Sequence, residues 1–127
     1  MYFVSKEIEF AAAHTLRGTR GPCENLHGHN YRAKVFLASG SLDATGMVLD
    51  FAEFKRILRE VTAPLDHANL SEVPPFDAVN STAENLARHI AAEVARRLPP
   101  GPAVHRVEVW ETTTSCAIYE PDPKEVP

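Results

Sequence analysis

HGHNYRAKVFLA, residues 27–38, decides how this chain is read. Its alternate positions His27, His29, Tyr31, Ala33, Val35 and Leu37 fall on one side of an extended strand, and Asn30, Arg32 and Lys34 fall on the other. A period of two with one apolar side is the mark of a strand lying on a core. Upstream, residues 4–14 read the same way, with Val4, Ile8, Phe10, Ala12 and His14 on a face that ends on a histidine. Between the two strands, residues 15–26 (TLRGTRGPCENL) contain two Gly, one Pro and two Arg, so they form a loop longer than a tight hairpin turn.

Downstream the period changes. Gly40–Gly46 reads as a turn, after which Asp50 is a helix N-cap, Glu53 stands three residues on, and Phe51, Phe54, Leu58 and Val61 form a helical stripe that Pro64 ends. Residues 66–80 read as an irregular connection. Ser81 and Glu84 then form a capping box for a second helix with the stripe Leu86, Ile90, Val94 and Leu98, stopped by Pro99, Pro100 and Gly101. Strands at about 103–111 and 116–120 follow, separated by the polar loop Thr112–Ser115. The order strand, strand, helix, helix, strand, strand is α+β. It predicts one domain over residues 1–120 and a loose, proline-rich tail over 121–127.

With 127 residues, burial of roughly 65% of the unfolded surface leaves a small core that assembly would supplement. The net charge of −4, from 13 basic and 17 acidic residues, comes without a basic stripe among aromatics, which argues against nucleic-acid binding. Residues 1–63 carry 8 basic and 7 acidic side chains and residues 64–127 carry 5 and 10, so an anionic ligand would meet the N-terminal half. No stretch approaches the ~20 apolar residues of a membrane span, and MYFVSKEIEF lacks a signal pattern; a soluble, cytoplasmic protein is expected. Cys23 and Cys116 are read as free thiols of a reducing compartment, Cys116 packing in the last strand.

Alternate strand residues lie about 7 Å apart on one side, so His27 and His29 present two imidazoles together. An antiparallel return brings His14 to the start of the second strand, where both stand. Three histidines with a fourth position open is the pattern of a catalytic zinc site. Adding Cys23 as a fourth ligand instead gives a closed structural site, and the spacing alone leaves both arrangements open.

The sequence also holds Phe10-x-Ala12-Ala13-His14, Cys23-x-x-x-His27-Gly28-His29-Asn30-Tyr31, Met47-Val48-Leu49-Asp50-Phe51, Leu65-Asp66-His67-x-x-Leu70, Ser81-Thr82-Ala83-Glu84-Asn85 and Glu111-Thr112, in that order. Together these resemble the 6-pyruvoyl-tetrahydropterin synthase family, and within it the 6-carboxy-5,6,7,8-tetrahydropterin synthase branch of queuosine biosynthesis. The resemblance implies the tunnelling fold, with subunits joined edge to edge into a barrel and stacked as a homohexamer of two trimers. It implies one zinc per subunit on His14, His27 and His29, with Cys23 as the catalytic base and Asp66 and His67 as an acid-base relay.

The substrate it implies is 7,8-dihydroneopterin triphosphate, converted to 6-carboxytetrahydropterin, acetaldehyde and triphosphate. Glu111, on a strand face with Val107 and Val109, would receive the pterin's 2-amino and ring N–H groups, since a buried carboxylate needs a partner. Thr82 matches a position that touches the pterin, and Arg17 and Arg20 are candidates for the triphosphate. The three-residue gap from Cys23 to His27 points to the carboxy branch rather than the pyruvoyl-forming one. Glu24 matches a bacterial subgroup in which glutamate replaces or accompanies the cysteine to yield 6-hydroxymethyl-7,8-dihydropterin, so dual activity stays open. A zinc-stabilised module that only binds a pterin or purine is the alternative of another class.

Overall fold

The computed structural model describes residues 1–122. Strand β1 (Tyr2–His14) and strand β2 (His27–Ser39) pair antiparallel along their whole length, from Tyr2 opposite Ser39 to His14 opposite His27. The alternation places Phe10, Ala12 and His14 of β1 and Tyr31, Ala33, Val35 and Leu37 of β2 on one buried face. Helix α1 (Phe51–Thr62) and helix α2 (Ala83–Arg97) lie against that face and complete the core with Phe54, Ile57, Leu58, Val61, Leu86, Ile90 and Val94. Burying each such side chain contributes roughly 1.5–3 kcal/mol, so this layer, rather than helix propensity, holds both helices in place.

The expected connection over 66–80 contains structure that its sequence does not announce. Ala68–Asn69 form a two-residue strand, β3, parallel to Ala12–Ala13 of β1, and Leu70–Glu72 make a single 3₁₀ turn. Strands β4 (Ala103–Trp110) and β5 (Cys116–Tyr119) follow α2, and the five-stranded mixed sheet runs β3-β1-β2-β4-β5 with open edges. Opposite Phe36 and Leu37 the β2–β4 register slips at a bulge, so the core-facing positions of β4 change from Val104 before it to Val107 and Val109 after it.

Other expectations shift in detail. Asp50 caps α1 through Ala52 N at 2.7 Å, but Phe51 at the helix start is exposed and Ile57 takes its place in the stripe. Glu53 pairs with Arg56 rather than closing a box. The cap of α2 is Thr82, whose hydroxyl accepts from Asn85 N at 3.1 Å, not Ser81. Cys116 stands in β5 but is exposed. No helix among the described residues is long and apolar enough to cross a membrane, and residues 123–127 of the expected tail lie outside the described residues.

Candidate metal centre and active site

The register that pairs His14 with His27 also sets His29 opposite Ala12, two residues along the same face. The three imidazoles cluster, with ring centroids 4.5 Å (His14–His27), 5.1 Å (His14–His29) and 5.0 Å (His27–His29) apart. One nitrogen from each lies within 4.8 Å of the others; Cys23 is not in this group. His14 is fully buried, and its Nδ1 lies 2.9 Å from the Ser81 carbonyl oxygen and 3.1 Å from the Ser81 hydroxyl. His27 Nδ1 lies 2.7 Å from the Asn25 carbonyl. An imidazole that gives its one N–H to a carbonyl through Nδ1 keeps its Nε2 lone pair for a metal.

His29 Nε2 is buried without a hydrogen-bond partner, and the Glu111 carboxylate lies 3.9 Å away. An unsatisfied buried nitrogen costs about 1–3 kcal/mol, and a divalent ion among three such nitrogens is the partner that removes the penalty. The donor set therefore fits a metal. Burial lowers the pKa of His14, a direction that His27 and His29 reinforce while the Ser81 carbonyl and Glu111 oppose it, so the ring is neutral and ready to ligate near pH 7. The Tyr31 hydroxyl forms the inner wall, 3.1 and 3.3 Å from the two nitrogens of His14. Burial, with Glu111, raises its pKa well beyond the usual phenol range, so it keeps its proton.

Cys23 and Glu24 occupy an exposed 3₁₀ turn, Pro22–Glu24, in the loop between β1 and β2. The Cys23 carbonyl accepts from Leu16 N at 2.8 Å, folding the loop back towards the end of β1. Arg17 anchors its loop: its guanidinium donates to the carbonyls of Phe76 and Asp77, both at 3.2 Å. Arg20 is exposed, in the left-handed region at φ 54°.

Asp66 and His67 lie at the outer edge of β1. The Asp66 carboxylate accepts from Ala11 N at 3.0 Å and meets His67 Nδ1 at 3.0 Å, while His67 N donates to the Ala11 carbonyl at 2.6 Å. The bond from Ala11 N, ahead of the contact with His67, lowers the Asp66 pKa and keeps it ionised. His67 itself sits at φ 56° with its ring 83% exposed, and the polar contacts of its ring go to Asp66 rather than to the three histidines. Among the described residues no polar contact joins this pair to the three histidines, although His67 and His29 line one open cleft beside β1.

Glu111 and Thr82 do come together. With Leu16, Glu84 and Ser115–Ile118 they line a cleft of about 520 Å³, and Glu111 reaches from it to His29. Glu84, Tyr31 and Ser81 are site residues that sequence reasoning gave no role there: Glu84 and Ser81 read as a capping box, and Tyr31 as one more core position.

A sequence model of the family described as 6-pyruvoyl tetrahydropterin synthase matches residues 3–122. The chain belongs to that family. It is 40% identical to a 6-carboxy-5,6,7,8-tetrahydropterin synthase of Synechocystis over 94% of this chain and 93% of the relative. It is also 38% identical to the human 6-pyruvoyl tetrahydrobiopterin synthase over 92% of this chain and 90% of that one. Among solved structures, the 6-pyruvoyl tetrahydropterin synthase of Caenorhabditis elegans superposes with a TM-score of 0.85 at 31% identity, covering 95% of this chain and 96% of that one. The α+β architecture is the tunnelling fold of this family, and the protein is a lyase of the pterin synthase type.

Proposed function

We propose that the protein is a zinc-dependent lyase converting 7,8-dihydroneopterin triphosphate and water to 6-carboxy-5,6,7,8-tetrahydropterin, acetaldehyde and triphosphate, a cytoplasmic step of queuosine biosynthesis. The observation that carries this reading is the approach of Glu111 to His29, 3.9 Å apart, which would set a metal on the three histidines beside a carboxylate able to hold a pterin edge. A zinc ion held by His14, His27 and His29 would supply a Lewis acid for the substrate hydroxyls next to the scissile bond. Glu111 accepts the 2-amino and ring N–H groups, fixing the pterin's orientation, and Thr82 lines the same cleft.

Cys23, as the thiolate, removes a C–H proton next to those hydroxyls, and a neighbouring cation favours the thiolate form. His67 exchanges that proton, with the ionised Asp66 holding its ring. Arg20 meets the triphosphate, and Arg17 holds the loop that carries Arg20 and Cys23. The edge of β1 that the two-residue β3 leaves uncovered, together with the edge of β5, supports assembly into a barrel and a homohexamer, which would bring the Asp66–His67 pair to a subunit junction. Glu24, on the same turn as Cys23, supports a second, hydroxymethyl-forming route.

The test is a product assay. Zinc-loaded protein given 7,8-dihydroneopterin triphosphate should form the carboxy product by mass, and Cys23→Ala should lose it by ~10²–10⁴-fold while retaining zinc and substrate. Full activity in that variant would refute Cys23 as the base. Pterin binding without turnover by the wild type would support the binding module instead.

A further inference from the structure

The short segment Asn80–Thr82 is tied to three parts of the molecule at once. Asn80 grips the backbone of Arg17 from both sides, its Oδ1 accepting from Arg17 N at 3.0 Å and its Nδ2 donating to the Arg17 carbonyl at 2.9 Å. Its own carbonyl accepts from Asn85 Nδ2 at 2.9 Å, which ties it to the first turn of α2. Thr82 caps the same helix. Ser81 stands between them, 1% exposed, with both its carbonyl and its hydroxyl oxygen on Nδ1 of a histidine 67 residues away.

A neutral imidazole carries one N–H. Because the Ser81 carbonyl can only accept, that hydrogen belongs on Nδ1, and the ring plane is set by where the carbonyl and hydroxyl oxygens stand. His14 ends β1, and the other hydroxyl within hydrogen-bond distance of it, that of Tyr31, lies near both ring nitrogens and favours neither tautomer.

We propose that Ser81 is a positioning residue of the metal centre, fixing the tautomer and ring plane of His14, so that the N-terminal segment of α2 is the outer support of the site. The residue type that reads as a helix cap serves a ligand instead, and the neighbouring threonine does the capping. The same segment, through Asn80, sets the root of the loop that carries Cys23, so the metal ligand and the proposed base share one anchor. The inference rests on His14, His27 and His29 being the metal ligands.

Zinc affinity, measured by competition with a chromogenic chelator on the full-length protein, tests it. Ser81→Ala removes the hydroxyl and leaves the carbonyl, so zinc should bind about tenfold more weakly, at the lower end of the 10–100-fold typical of lost outer-shell partners. As a control, Asp50→Ala removes the cap of α1, whose bond goes to Ala52 and not to the metal centre. It should lower the melting temperature by a few degrees yet leave zinc affinity within twofold. Zinc binding by Ser81→Ala within twofold of the wild type, or equal weakening in both variants, would overturn the proposal. If the wild type itself fails to bind zinc at one ion per subunit, the ligand assignment is what fails.

Discussion

The two halves of this site are held by different means. His14, His27 and His29 stand on strands whose backbone ladder, running the length of β1 and β2, determines where each of them points, and Glu111 follows directly on the paired end of β4. The loop-held half, Cys23, Asp66, His67 and Ser81, has no such ladder. It is fastened by a few side-chain-to-backbone bonds, one from Ala11 to Asp66, two between Asn80 and Arg17 and two from Arg17 to Phe76 and Asp77, with isolated backbone bonds from Leu16 to Cys23 and from His67 to Ala11. In the ladder the loss of one side chain leaves the geometry of the others intact, whereas in the loops one lost side chain releases a stretch of backbone.

The largest effect should come from the ladder. His27→Ala removes a ligand but no strand pairing, so zinc should fall from one per subunit towards none while the circular dichroism spectrum stays that of the wild type. Retained zinc would break the assignment, and a collapsed fold would break the comparison. Glu111→Gln comes next: it keeps the shape and loses the charge that strengthens hydrogen bonds to the pterin. Pterin dissociation, followed by calorimetry, should weaken roughly 10–100-fold with zinc content unchanged.

Asn80→Ala tests the loop-held half. Losing both bonds to the Arg17 backbone should cost about 1–2 kcal/mol in denaturant unfolding and speed proteolytic cutting within residues 15–26, with the strands as resistant as before. Unchanged cutting would show that the loop is held by something else.

The smallest effect is one of pH. Burial, reinforced by Arg96 and Arg97 and opposed by Glu93, lowers the pKa of His89, whose ring meets Phe76 of the connection at 5.2 Å. A histidine with a lowered folded-state pKa keeps its stabilising environment above about pH 6.5, its unfolded value, and stability is lost as pH falls through the lower folded value. Melting curves should therefore drop below pH 6.5, and His89→Gln should flatten that slope; His14, shifted the same way, contributes to the part that remains.

The ladder-held half was legible because a strand's side-chain period is two, so alternation in residues 4–14 and 27–38 fixed both the buried face and the meeting of His14 with His27. The loop-held half was legible only as composition. Nothing in Ala68–Asn69 marks a strand, because two residues have no period and their partner is the edge of β1. Ser81 and Thr82 are both good capping residues; which one caps depends on His14, a contact no local pattern encodes. Arg17 read as an anion ligand by charge, and its bonds to carbonyls brought near by the fold of residues 76–77 had no local signal. The slip between Phe36 and Leu37 likewise arises from pairing across strands.

The central claim, a metal held by three histidines with a position left open for substrate, is tested most directly by zinc-edge X-ray absorption on the purified, zinc-loaded protein. The account predicts a shell of three nitrogens and one oxygen at about 2.0–2.1 Å. A sulfur scatterer at about 2.3 Å in the resting protein would contradict it, because Cys23 would then close the site and could not serve as its base.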